Sequence, residues 1–218
     1  MAKQAIWDLP IRLFHWLLVA LIAFSWWSAE YGETDLHIWS GIAILSLLIF
    51  RLLWGFFGSS TARFASFVRG PKTVAGYVRN QDSWRAAGHT PLAALSIISL
   101  LVLIACQVGL GLISVDEDGF YEGPLAHLVS TDVSEAAREL HEQLFNLLLA
   151  LIALHIAAII YYRLKGKKLT KAMITGKGEI GPGIEPMQRG RWWAALICLA
   201  VAIGVTRWVV AGAPPFGG

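Results

Sequence analysis

The sequence predicts an all-α integral membrane protein, a bundle of five transmembrane helices with the fifth at its C-terminal end, and three observations carry that prediction. The 218 residues are 56% hydrophobic and 15% charged, with a mean hydropathy of +0.58, far more apolar than a soluble domain. Five apolar runs are each long enough, or nearly so, to cross a hydrocarbon core of about 30 Å. The short connections between them alternate between basic and acidic. A soluble globule, a disordered tail and a collagen-like repeat are excluded, and the length suits one helical domain.

The first run covers residues 11–28. Asp8 and Pro10 precede it and no small-residue cleavage pattern follows, so it reads as a helix and not as a removable signal peptide. The second covers 37–57. A connection at 62–78 alternates Phe64, Phe67, Val68 and Val74 with Arg63, Arg69 and Lys72, which suits a basic element on the membrane surface, broken at Pro71. The third run, 91–115, holds no charge; Thr90 and Pro91 supply its cap and first-turn proline. The fourth, 140–162, follows a capping-box-like Asp132 and Glu135, so its helix begins more than two turns before His141. A Gly/Pro linker at 176–191 leads to the fifth run, 192–210, and a short tail. Trp7, Trp16, Trp26, Trp27, Trp54, Trp192, Trp193 and Trp208 lie near run ends, as expected for rings anchored at the headgroups.

Cytoplasmic loops carry excess Lys and Arg. Arg63, Arg69, Lys72, Arg79 and Arg85 face only Asp82 between runs two and three, and Arg163, Lys165, Lys167, Lys168, Lys171 and Lys177 follow run four. Both connections belong inside. Glu30, Glu33 and Asp35 after run one, and Asp116, Glu117, Asp118, Glu122, Asp132, Glu135 and Glu139 against Arg138 after run three, belong outside. The amino terminus is then cytoplasmic and the tail at 211–218 external. The net charge of +3 is small and the basic residues are scattered, which excludes a nucleic-acid partner.

Four of the six histidines, His15, His37, His141 and His155, lie in or at the ends of membrane runs, where an ionisable side chain is by default functional. His141 and His155 are 14 residues apart, about 1400° of helix, some 40° short of four turns, and about 21 Å along the axis. They share a face near opposite sides of the bilayer. His37 opens the second helix level with His141, and His15 stands early in the first, level with His155. One imidazole pair per leaflet suits bis-histidine ligation, in which a neutral nitrogen from each side binds iron and an apolar slot takes the porphyrin. The expectation is two stacked b-type haems. Cys106 and Cys198, both in apolar runs, allow neither an iron–sulfur cage nor covalent haem attachment. Arg12, Arg51 and Arg163 are candidate partners of haem propionates, and Gly41, one turn after His37, leaves room for a macrocycle. In the competing reading the four histidines are packing residues of a haem-free structural or transport bundle.

Trp7-Asp8-Leu9-Pro10, Arg12-Leu13-Phe14-His15-Trp16, Leu36-His37, Gly88-His89-Thr90-Pro91 and the pair His141 and His155 resemble the bacterial cytochrome b561 and nickel–iron hydrogenase cytochrome b family. The resemblance runs from about residue 7 to 175. It implies a dihaem four-helix domain over residues 1–175, with His15 paired to His155 and His37 to His141, exchanging electrons with membrane quinone and with a redox partner. The linker and the fifth helix at 192–218 extend beyond that core. The short connection from Glu30 to Leu36 is unlike hydrogenase-type members, and is similar to relatives that serve soluble c-type cytochromes. The expected function is electron transfer across the bacterial cytoplasmic membrane between quinone and a periplasmic c-type cytochrome. The alternatives are a superoxide oxidase drawing its anion to residues such as Arg138, and the b-type subunit of a membrane-bound hydrogenase. His89, His127, Arg63 and Tyr77 are the polar candidates for a quinone site.

Overall fold

In chain order the computed structural model forms β1 (Ala2–Ala5), α1 (Leu9–Glu30), α2 (Thr34–Phe57), α3 (Phe64–Phe67), α4 (Pro71–Arg79), α5 (Pro91–Ile113), α6 (Thr131–Leu164), α7 (Leu169–Thr175), β2 (Lys177–Ile180) and α8 (Trp192–Val210). It describes residues 2–80, 84, 86–181 and 183–214, so Asp82 and Arg85 of the basic connection, and 215–218 of the tail, lie outside the described residues. α1, α2, α5, α6 and α8 are long and apolar enough to cross a membrane. They coincide with the five apolar runs. Large apolar side chains stand exposed along them, among them Leu13, Leu17, Leu95, Val102, Leu147, Leu154, Leu196 and Ile197. In water such a surface would aggregate; in lipid it is the solvated face. The chain is an all-α integral membrane bundle.

Local chemistry sets the helix ends. Asp8 caps α1, its Oδ1 accepting the Ile11 amide at 2.8 Å. Thr90 Oγ1 accepts the Ala93 amide at 3.3 Å and Pro91 opens α5, as expected from the sequence. α6 starts at Thr131; its 34 residues span about 51 Å, so the helix extends well past a hydrocarbon core. The surface element splits into α3 and α4, the second beginning at Pro71. Two features depart from the sequence reading. Trp54 is 1% exposed and donates from Nε1 to Asp8 Oδ2 at 2.9 Å, so it is an internal strut and not a headgroup anchor. Within the linker, β2 pairs antiparallel with β1, from Ala2↔Ile180 to Ala5↔Lys177.

Packing divides the chain into two units. One comprises Met1–His15, Arg51–Leu100 and Leu151–Cys198; the other comprises Trp16–Phe50, Leu101–Ala150 and Leu199–Gly218. The first holds His15 and His155, the second His37 and His141.

Candidate functional site

In the second unit, α2 and α6 bring His37 and His141 face to edge, with ring centroids 5.9 Å apart and planes at 82°. Each imidazole is oriented by a carbonyl. His37 Nδ1 donates to Ser25 O at 2.9 Å, and His141 Nδ1 donates to Gln107 O at 2.8 Å. A carbonyl can only accept, so each Nδ1 carries the proton and each Nε2 keeps its lone pair, the tautomer a metal-binding histidine needs. With metal–nitrogen bonds of about 2 Å, two imidazoles on opposite sides of one metal have centroids roughly 6 Å apart, which matches the observed spacing. Gln107 also donates from Nε2 to His141 O at 2.8 Å, fixing the helix behind the ring.

A cavity of about 540 Å³ opens beside this pair, lined by Ile22, Ile38, Val108, Leu112 and Phe145 together with both histidines. Its volume and apolar lining suit a cofactor. Gly41 borders it, and a Cβ there would meet nothing within 4 Å. Gly111 stands closer: a Cβ would lie 3.2 Å from His141 Cε1. Ser25, Gln107 and Gly111 were not singled out by sequence. Among the described residues, no group of three or more His, Cys, Asp or Glu could hold a bare metal ion. His37 and His141 would be the residues to hold a haem beside this cavity, and the haem would supply a one-electron couple.

In the first unit, His15 lies beside the buried Ile11 and Phe14 of α1, near enough to His155 to sense its charge. In the same unit Arg51 is 3% exposed, with its guanidinium carbon 4.6 Å from the Phe64 centroid. His89 is packed between Trp7 and Phe67, at 4.4 and 4.6 Å. Burial, with the Arg51 charge added, pushes its pKa down to about 3, so the ring is neutral at neutral pH.

The other sequence candidates are placed elsewhere. The Arg12 guanidinium donates to the Met173 and Ile174 carbonyls, tying α1 to α7. Arg163 is exposed in a shallow basic hollow with Lys168 and Lys171. Arg63 is exposed, and His127 sits in the short turn Ala126–Leu128. Tyr77 is buried with its hydroxyl 3.4 Å from that of Tyr162.

The family model for prokaryotic cytochrome b561 matches residues 6–176, more than three-quarters of the chain. The chain belongs to the prokaryotic cytochrome b561 family. No curated protein and no solved structure matches it. Membership makes it a membrane b-type cytochrome of electron transfer that binds haem b, and the match ends where the linker to α8 begins. α8 carries its own buried stripe of mostly small residues, Cys198, Ala202, Thr206 and Val209, the composition that lets membrane helices approach closely.

Proposed function

We propose that this cytochrome holds two haems b, one between His15 and His155 and one between His37 and His141, and passes single electrons across the bacterial cytoplasmic membrane between the quinone pool and a periplasmic c-type cytochrome. The observation that carries the reading is the placement of His37 and His141, each with Nδ1 donating to a carbonyl so that Nε2 keeps its lone pair, and with ring centroids at metal-bridging spacing. Haem supplies the one-electron couple; the chain's residues hold it, orient it and keep it in an apolar slot. With two protein nitrogens committed per site, electron transfer is favoured over oxygen binding. Residues 1–175 form the electron-transfer domain, and α8 is an added helix packed through its small-residue stripe.

The alternating connections support a cytoplasmic amino terminus. The acidic connection between α5 and α6 then faces the periplasm, where Asp116, Glu117, Asp118 and Glu122 suit a partner with a basic docking patch. The superoxide reading draws less support, because Arg138 is held by Glu117 and Glu142 at 3.1 and 3.0 Å, which neutralises the charge meant to draw the anion. The test uses purified protein in liposomes. Quinol should reduce its haems, and electron exchange with a basic c-type cytochrome should slow steeply as salt rises. Haems that quinol cannot reduce would remove the quinone assignment, a flat salt dependence would remove the docking face, and superoxide consumption without any protein partner would favour the alternative.

A further inference from the structure

Among the buried polar atoms of the first unit, Arg51 Nη1 and His89 Nδ1 have no hydrogen-bond partner among the described residues. They belong to one cluster. The ring of Phe67 lies 4.6 Å from the His89 ring and 6.0 Å from the Arg51 guanidinium carbon, and His89 senses the Arg51 charge. Aromatic rings close the remaining sides, Trp7 against His89 and Phe64 against Arg51.

A guanidinium does not deprotonate, so burying it without an anion is costly. Asp8 is the carboxylate whose charge reaches it, yet both Asp8 oxygens already accept, from the Ile11 amide and from Trp54 Nε1. Among the described residues Arg51 forms no ion pair; those present join Arg138 to Glu117 and Glu142. The missing group must be anionic, to neutralise Arg51, and planar with two acceptor oxygens, to meet the fork of the guanidinium together with an imidazole N–H. A carboxylate meets all of these requirements. The same unit holds His15 and His155, and the haem proposed for them carries two propionate carboxylates.

We propose that Arg51 and His89 together form a carboxylate site that takes one propionate of the haem held by His15 and His155. The assignment rests on the two-haem reading above and adds His89 to it; Arg12 already gives two of its N–H groups to the Met173 and Ile174 carbonyls. Arg51 supplies the charge. His89, kept neutral by its surroundings, supplies one N–H and fixes the plane of the carboxylate.

The test is a binding comparison between haem and its dimethyl ester, which has the same macrocycle without the carboxylates. Haem-free wild type, Arg51→Gln and His89→Leu are reconstituted with each. Occupancy is read at the site whose spectral component disappears in His155→Ala. Wild type should hold haem at least tenfold more tightly than the diester at that site, and both variants should bring the two within threefold. A wild type that holds the diester as tightly as haem overturns the assignment, and this comparison needs no variant to fold. Full discrimination persisting in the variants overturns it as well. If Arg51→Gln does not accumulate, Arg51→Lys, which keeps charge but loses the fork, should show reduced discrimination; undiminished discrimination counts against the site. A wild type with no haem at His15 and His155 would defeat the two-haem reading itself, whereas two haems without discrimination would defeat this assignment alone.

Discussion

Replacing Gly111 by alanine separates the haem site from the fold, because the two effects have opposite signs. An added Cβ would stand 3.2 Å from Cε1 and 3.4 Å from Nδ1 of His141. Carbon atoms pack best at about 3.5–4.0 Å, so the ring has to retreat by roughly 0.3–0.8 Å. It is held from behind by its 2.8 Å bond to Gln107 O, and metal–ligand distances tolerate only about 0.2 Å. Disturbing the groups that orient a metal ligand costs about 10- to 100-fold in affinity, or roughly 1.4–2.7 kcal/mol. The helix gains instead, since alanine is preferred over glycine in a helix interior by about 0.8–1 kcal/mol. Gly109→Ala on the same helix is the control, because a Cβ there meets nothing within 4 Å. The assay is transfer of haem to an external acceptor, followed by reduced-minus-oxidised spectra, alongside thermal unfolding of the haem-free chain. Gly111→Ala should release one haem 10- to 100-fold more readily while the chain is no less stable. Release indistinguishable from that of Gly109→Ala would refute the argument.

Two further outcomes follow from the first unit. Asp8→Ala removes a helix cap worth about 1 kcal/mol and a buried charged hydrogen bond to Trp54 worth about 1.5–3 kcal/mol, for a loss of about 2.5–4 kcal/mol in denaturant unfolding; Asp8→Asn, which keeps an acceptor oxygen, should lose less, and equal losses would count against the bonded network. In the haem-free protein, His89 stays neutral down to about pH 3, whereas the unfolded imidazole takes its proton near pH 6.5. Between those values the unfolded chain binds the extra proton, so stability falls by up to about 1.4 kcal/mol for each pH unit lost across that window. His89→Phe should therefore move the acid-unfolding midpoint to lower pH, and an unmoved midpoint would show that the imidazole is not the group resisting protonation.

Features governed by local pattern were legible in the sequence. The five spans follow from uninterrupted apolar runs, the start of α5 from Thr90 and Pro91, and the early start of α6 from polar residues upstream of His141. That His37 and His141 stand close together was legible because helical periodicity and alternating connections fix face and depth together. What stayed hidden depends on contacts distant in sequence. Trp54 resembles any tryptophan at a run end until Asp8, 46 positions earlier, accepts its N–H. The strand Lys177–Ile180 is too short to show alternation and exists only through its pairing with Ala2–Ala5. Gln107 and Gly111 look like filler in a helix, yet Gln107 is the one amide side chain in the uncharged run 91–115, and a polar group at that depth was a signal available to be read. Arg12 and Arg51 were indistinguishable as arginines near the membrane boundary; only the fold shows that the first bonds the Met173 and Ile174 carbonyls and the second is buried with an unpartnered Nη1.

The central claim is that paired histidines hold two haems, and a pyridine haemochrome count on purified, haem-supplied protein in detergent tests it most directly. Two haems b per chain are expected for the wild type, with one in His155→Ala and the other one in His141→Ala, distinguished by their reduced-minus-oxidised spectra. No haem in a well-folded wild type, or an unchanged count in both variants, would contradict the account and return these histidines to helix packing.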